Sequence, residues 1–116
     1  MTVMKGGNDA IDPVALKSVF GDDEETFREN LQDYVNPSKG IVKELNDAYE
    51  ARDAQAIGAA GHKLKSSSRS VGANTLADLS EILEKAGKSD DWVVIDETVP
   101  LLEPTLRQVI DYIETL

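Results

Sequence analysis

The stretch 95–116, IDETVPLLEPTLRQVIDYIETL, sets the class of the fold. Ile95, Val99, Leu102, Leu106, Val109, Ile113 and Leu116 recur at alternating spacings of four and three. On a helix this spacing gathers them into one apolar seam, the kind that packs nearly parallel or antiparallel to its neighbours. Pro100 and Pro104 fall within it, and a proline removes a donor from the helix ladder, so a bend or early break is expected there. Residues Trp92–Ile95 would also fit a strand, but one too short to change the class.

Upstream, the punctuation falls at helix-length intervals. Pro13 after Asp12 suits a first turn, and Gly21 closes a short helix running to Phe20. Asp22 or Asp23 then caps a helix with Phe27, Leu31, Tyr34 and Val35 on one face. Asn36-Pro37 is expected to break or kink it, and Ile41, Val42, Leu45, Ala48 and Tyr49 resume the stripe to about Arg52. Asp53 is a cap for the next helix, which Gly72 ends in the left-handed position. Asn74 or Thr75 opens another, with Leu76, Leu79, Ile82, Leu83 and Ala86 on one face and Gly87 ending it. Ser89 or Asp90 starts the last. The expected architecture is all-α: a four-helix bundle with a short additional N-terminal helix across it. Residues 1–10 read as a flexible polar tail and 11–116 as a single domain.

Composition narrows the function. The 116 residues suit one domain, and 41% are apolar, enough for a single core. There is no cysteine and one histidine, which leaves out disulfides and too few N or S ligands for a zinc or iron site. Against 12 Lys and Arg stand 22 Asp and Glu, a net charge of −10. A surface so acidic repels nucleic acid and anionic membranes. No apolar run approaches the roughly 20 residues that cross a bilayer. Met1–Ala10 lacks the apolar core of a secretory signal, so a cytoplasmic location is expected.

The segment Asp53–Val71 bears the chemistry. With Leu64 taken as the core direction, Ile57, Ala60, Ser68 and Val71 fall within about 40° of it on a helix turning about 100° per residue. His62 points about 160° away, towards solvent. An outward histidine fills no core, which leaves an ordinary surface residue or a functional one. Lys65, Ser66, Arg69 and Gly58 share its face, at i+3, i+4, i+7 and i−4. Two cations around an exposed imidazole on an otherwise acidic chain suit an anionic group. Gly58 and Gly61 each weaken a helix interior by roughly 0.5–1 kcal/mol relative to Ala. The expected reason is a surface cleared of bulk, so that a partner approaches His62 closely. Imidazole, with an unperturbed pKa near 6.5, is largely neutral at cytoplasmic pH and therefore nucleophilic. Ser67 and Ser68 read as small packing residues at the core edge.

His62-Lys63-Leu64-Lys65-Ser66-Ser67-Ser68, followed by Val71-Gly72-Ala73, resembles the signature of histidine-containing phosphotransfer (HPt) domains. That pattern is roughly A-H-x-L-K-G-S-S, three further residues, then G-A. Leu76, Leu79 and Leu83-Glu84 continue it downstream, and Phe20-Gly21-Asp22-Asp23 upstream. The resemblance implies a four-helix bundle with His62 as phosphoacceptor and Lys65 as the cation supporting the phosphoryl group. Ser66, Arg69, Lys63 and Gly58 complete the candidate surface for phosphoryl or partner. Gly61 replaces the family's usual Ala, and Ser66 its usual Gly, adding a hydroxyl able to bond the phosphoryl group or narrow the choice of partner.

The function so implied is a reversible phosphoryl carrier and not an enzyme, since no Gly-rich phosphate loop is present. Its partners would be receiver domains of response regulators or a hybrid sensor kinase. It would have no cofactor of its own, with Mg²⁺ on the receiver. Two rivals remain from the residues alone. One is a non-phosphorylated helical adaptor docking partners through the same surface. The other is a small hydrolase with His62 as general base, which would need an orienting partner and a substrate pocket.

Overall fold

The computed structural model describes residues 24–115, which form four helices: α1 (Glu24–Glu50), α2 (Ala54–Ser70), α3 (Asn74–Ser89) and α4 (Trp92–Glu114). The expected N-terminal tail and the helix ending at Phe20 lie outside the described residues. Connections this short make each helix antiparallel to the next. All three turns use the same device. Arg52 (φ 54°), Gly72 (φ 76°) and Asp90 (φ 55°) take left-handed backbone. In each case the following N–H reaches back five residues to a helix carbonyl: Asp53 to Ala48, Ala73 to Ser68 and Asp91 to Ala86, at 2.8–2.9 Å. This bond ties off the carbonyls that a helix end leaves without partners.

Only Gly72 adopts that conformation freely. Asp is among the residues that tolerate it. Arg52 is held there by its own side chain. Its guanidinium lies over the Trp92 ring at 4.6 Å and the Tyr49 ring at 5.3 Å. It also donates to Asp96 Oδ1 at 3.1 Å, an oxygen that Tyr49 reaches at 2.8 Å. Exposed cation–π and ion-pair contacts of this kind are individually weak. Together they offset the backbone strain and tie the first turn to the start of α4.

The core follows the predicted spacing except at Ile82 of α3, which was expected on the apolar face but is 42% exposed, at the margin of the stripe that Leu76 and Leu83 bury. Leu31 and Leu45 of α1, Ile57 and Leu64 of α2, Leu76 and Leu83 of α3, and Ile95, Leu102 and Val109 of α4 are fully buried. The α4 seam is buried from Ile95 to Ile113, whereas Leu116 is not among the described residues. Ser68 is fully buried, and its hydroxyl shares a 2.7 Å hydrogen bond with that of Tyr34, joining α2 to α1.

Several boundaries differ from expectation. α1 runs through Pro37, and α4 through both Pro100 and Pro104. All three prolines are exposed, and the carbonyls they leave free belong to Asp33, Asp96 and Pro100, also exposed, so the lost bonds fall on the solvent side of each helix. Gly87 does not end α3 but lies within it, and Asp90 makes the turn. Asp91, not Ser89 or Asp90, caps α4, its side chain accepting from Val94 N at 3.3 Å. Trp92–Ile95 is therefore the first turn of a helix and not a strand. Asp53 caps α2 as expected, accepting from Ala56 N at 3.1 Å. Among the described residues no helix is long and apolar enough to cross a membrane.

Candidate functional site

α2 and α3 meet through small residues, and this contact builds the site. A Cβ added at Gly61 would stand 2.9 Å from Ser80 O and 3.0 Å from Glu84 N. One at Gly87 would stand 2.6 Å from both Ala54 O and Gly58 N, and one at Gly58 would be 3.3 Å from Glu84 O. The two backbones touch. Gly58 is buried, which corrects the expectation that it clears a surface for a partner: the backbone it admits is that of α3. The helix-weakening glycines are there for packing.

The close approach sets Glu84 beside His62. Glu84 is only 8% exposed, whereas the His62 side chain is 61% exposed. Glu84 Oε2 lies 2.9 Å from His62 Nδ1, and Lys65 Nζ donates to Oε1 at 2.6 Å. Lys88 Nζ approaches Oε2 at 3.6 Å. The hydrogen bond from Lys65, and then that from His62, holds the Glu84 carboxyl down at about 2, against burial, which pushes the other way. At neutral pH Glu84 is therefore ionised and only accepts hydrogen bonds. The proton of the 2.9 Å contact therefore sits on His62 Nδ1, and in the neutral ring this leaves the lone pair on Nε2. An exposed imidazole with a fixed tautomer and a nucleophilic nitrogen is what phosphoryl transfer requires.

The Hpt domain family model matches residues 25–116. The chain belongs to the Hpt domain family. Membership brings the protein within histidine phosphotransfer in two-component signalling. The fold is also that of histidine-containing phosphotransfer protein B (HptB) from Pseudomonas aeruginosa PAO1, with a TM-score of 0.82 and 23% identity over 91% of this chain and 93% of that one. No curated protein matches the chain.

Within this Hpt domain the candidate residues separate. Lys65 joins His62 at Glu84, with its side chain 24% exposed. Ser66 is exposed one turn beyond His62. Arg69 turns away to α3, bonding Glu81 at 2.9 Å and Asp78 at 3.4 Å. Lys63 turns the other way, to Glu44 of α1 at 2.9 and 3.0 Å. The cations expected to share the face of His62 are thus divided, and the outer ones are already matched by acids of the chain.

Glu84 and Lys88 have no assigned role in the sequence reading. Glu84 was legible only as part of the motif's downstream continuation. A signal was nevertheless present. Ala77, Ser80, Glu84 and Gly87 form one buried stripe of α3, with a carboxylate as its single charged member. That stripe faces Ala54, Gly58 and Gly61 of α2, spaced by four and three. A charge within a stripe of small residues requires a partner on the opposite helix.

Proposed function

We propose that His62 accepts a phosphoryl group on Nε2 from the aspartyl phosphate of a receiver domain, and returns it to a receiver aspartate. The observation that carries this reading is the Glu84–His62 Nδ1 contact at 2.9 Å on a ring 61% exposed. In the neutral ring it places the single proton on Nδ1, so that the Nε2 lone pair is the one a partner meets.

In the step, the Nε2 lone pair forms the N–P bond while the P–O bond to the receiver's aspartate breaks. The electron pair leaves on the carboxylate oxygen. Nδ1 keeps its proton, so the ring becomes a phosphorylated imidazolium whose positive charge Glu84 offsets. The reverse step needs no proton from solvent. Lys65 and the peptide frame position the group, and positioning with electrostatics is most of what a loose phosphoryl transfer requires. The carboxylate beside His62 is already shared among three nitrogens. The donor set here suits the phosphoryl anion, and the Mg²⁺ is assigned to the receiver. On this reading the protein is a carrier, substrate and product of its partners in turn.

Incubation with a phosphorylated receiver tests the proposal. Label should move to the wild-type protein and not to His62→Gln, in a bond that is acid-labile and base-stable. The variant should keep its fold, since the ring is exposed. Label retained by His62→Gln would overturn the assignment, and binding without transfer would favour an adaptor.

A further inference from the structure

The proposed phosphoryl site has more positive charge than its helix carries, and the surplus comes from α3. Five cations stand on α2 and α3: Lys63, Lys65, Arg69, Lys85 and Lys88. Three are committed away from His62. Lys63 is held by Glu44, Arg69 by Glu81 and Asp78, and Lys85 by Glu81 at 3.2 Å. Lys65 and Lys88 both face Glu84, one from each helix.

The two are held differently. Lys65 is 24% exposed and 2.6 Å from Oε1. Lys88 is 74% exposed and 3.6 Å from Oε2, the oxygen already occupied by His62 Nδ1. A contact that long and exposed is worth little, so Lys88 leaves it easily. It also lines the groove in which His62 stands, together with Gly58, Ala59, Glu84 and Gly87. Charge adds a second argument. One carboxylate against two ammonium groups leaves at least one positive charge in excess, whichever protonation state the ring holds. A phosphoryl group of about −2 on an imidazolium brings one negative charge. The cluster is neutral only when phosphorylated.

We propose that Lys88 is the second, mobile cation of the phosphoryl site: when His62 is phosphorylated, Lys88 leaves Glu84 for the phosphoryl oxygens while Lys65 stays. The inference rests on His62 being the acceptor. Lys88 also stands in the last turn of α3, where a cation favours the helix dipole. That role alone would not respond to phosphorylation.

The test phosphorylates the full chain with potassium phosphoramidate, which needs no partner. Each lysine's rate of acetylation is then read by mass spectrometry. An anion beside an amine keeps it protonated, so Lys88 should become roughly two- to fivefold less reactive. Lys85 should not change, nor should either lysine in treated His62→Gln. Loss of the phosphoryl group, through a loose transition state, should be roughly two- to threefold faster in Lys88→Ala. Lys88→Arg should restore the wild-type lifetime, and Lys85→Ala, with the same change of net charge, should match wild type. Lys88 as reactive after phosphorylation as before, or equal lifetimes in Lys88→Ala and Lys85→Ala, would overturn the inference. Protection of Lys88 without exchange to any receiver would overturn the phosphorelay reading and uphold this one.

Discussion

The α2–α3 seam is made of small residues and the α1–α4 seam of large ones. Between α2 and α3, Gly58, Gly61 and Gly87 let backbone meet backbone, with no side chain to adjust. Between α1 and α4 a groove remains, lined by Val42, Leu106 and Ile110 with Lys39, Lys43 and Arg107. Their long side chains adapt to one another by rotamer. Gly40 of α1 has nothing within 4 Å of an added Cβ. The site sits on the seam that cannot adapt. A carboxylate reaches a ring on another helix at 2.9 Å only if the helices are fixed to a fraction of that distance, and backbone contact fixes them.

The largest expected effect ignores the distinction between seams. Leu102→Ala empties a fully buried position of α4 and should destabilise by about 2–5 kcal/mol in urea titration. The ring-nitrogen NMR signals of His62 should nevertheless stay those of the Nδ1–H tautomer. A mixed tautomer in this variant would mean that the α2–α3 seam depends on the rest of the core.

Gly87→Ala should break the site itself. Its Cβ meets backbone at 2.6 Å, and overpacking of this kind destabilises by roughly 1–3 kcal/mol. This should exceed the gain of about 1 kcal/mol in helix propensity. Unlike Leu102→Ala, it should shift the His62 ring signals towards a tautomer mixture, because it separates Glu84 from the ring. A stabilised Gly87→Ala would show that the backbones do not touch.

Glu84→Gln sharpens the electrostatic side. Its carboxyl is depressed from 4.5 to about 2. The group therefore adds stability at pH values above 4.5, and this contribution is lost as pH falls through about 2. The difference in Tm between wild type and variant should be greatest near neutrality and close as the solution is acidified over that window. A constant difference across it would mean that the carboxylate's partners do not hold its charge. The smallest effect belongs to the open region: Gly40→Ala should stabilise by about 0.5–1 kcal/mol, leaving the His62 ring signals unchanged.

The sequence by itself determined what one helix carries. Periodicity is a property of a single helix, so it located the buried faces, set His62 outward and brought Lys65 onto its side. The cap at Asp53 and the left-handed turn at Gly72 were legible because those residues act on their own backbone. Relations between helices were left to the tertiary structure. Pro37, Pro100 and Pro104 read as breaks, yet each stands on a solvent face, where a lost ladder bond need not be replaced from within the protein. Gly58 read as open surface and Gly87 as an end, yet both are contact points. Arg69 and Lys63 share a helix with His62 but are drawn to acids on other helices, while Glu84, 22 residues away, reaches its ring. Spacing of three or four sets which residues share a face. What each side chain meets depends on the distance and register between helices, and only the packed bundle fixes those.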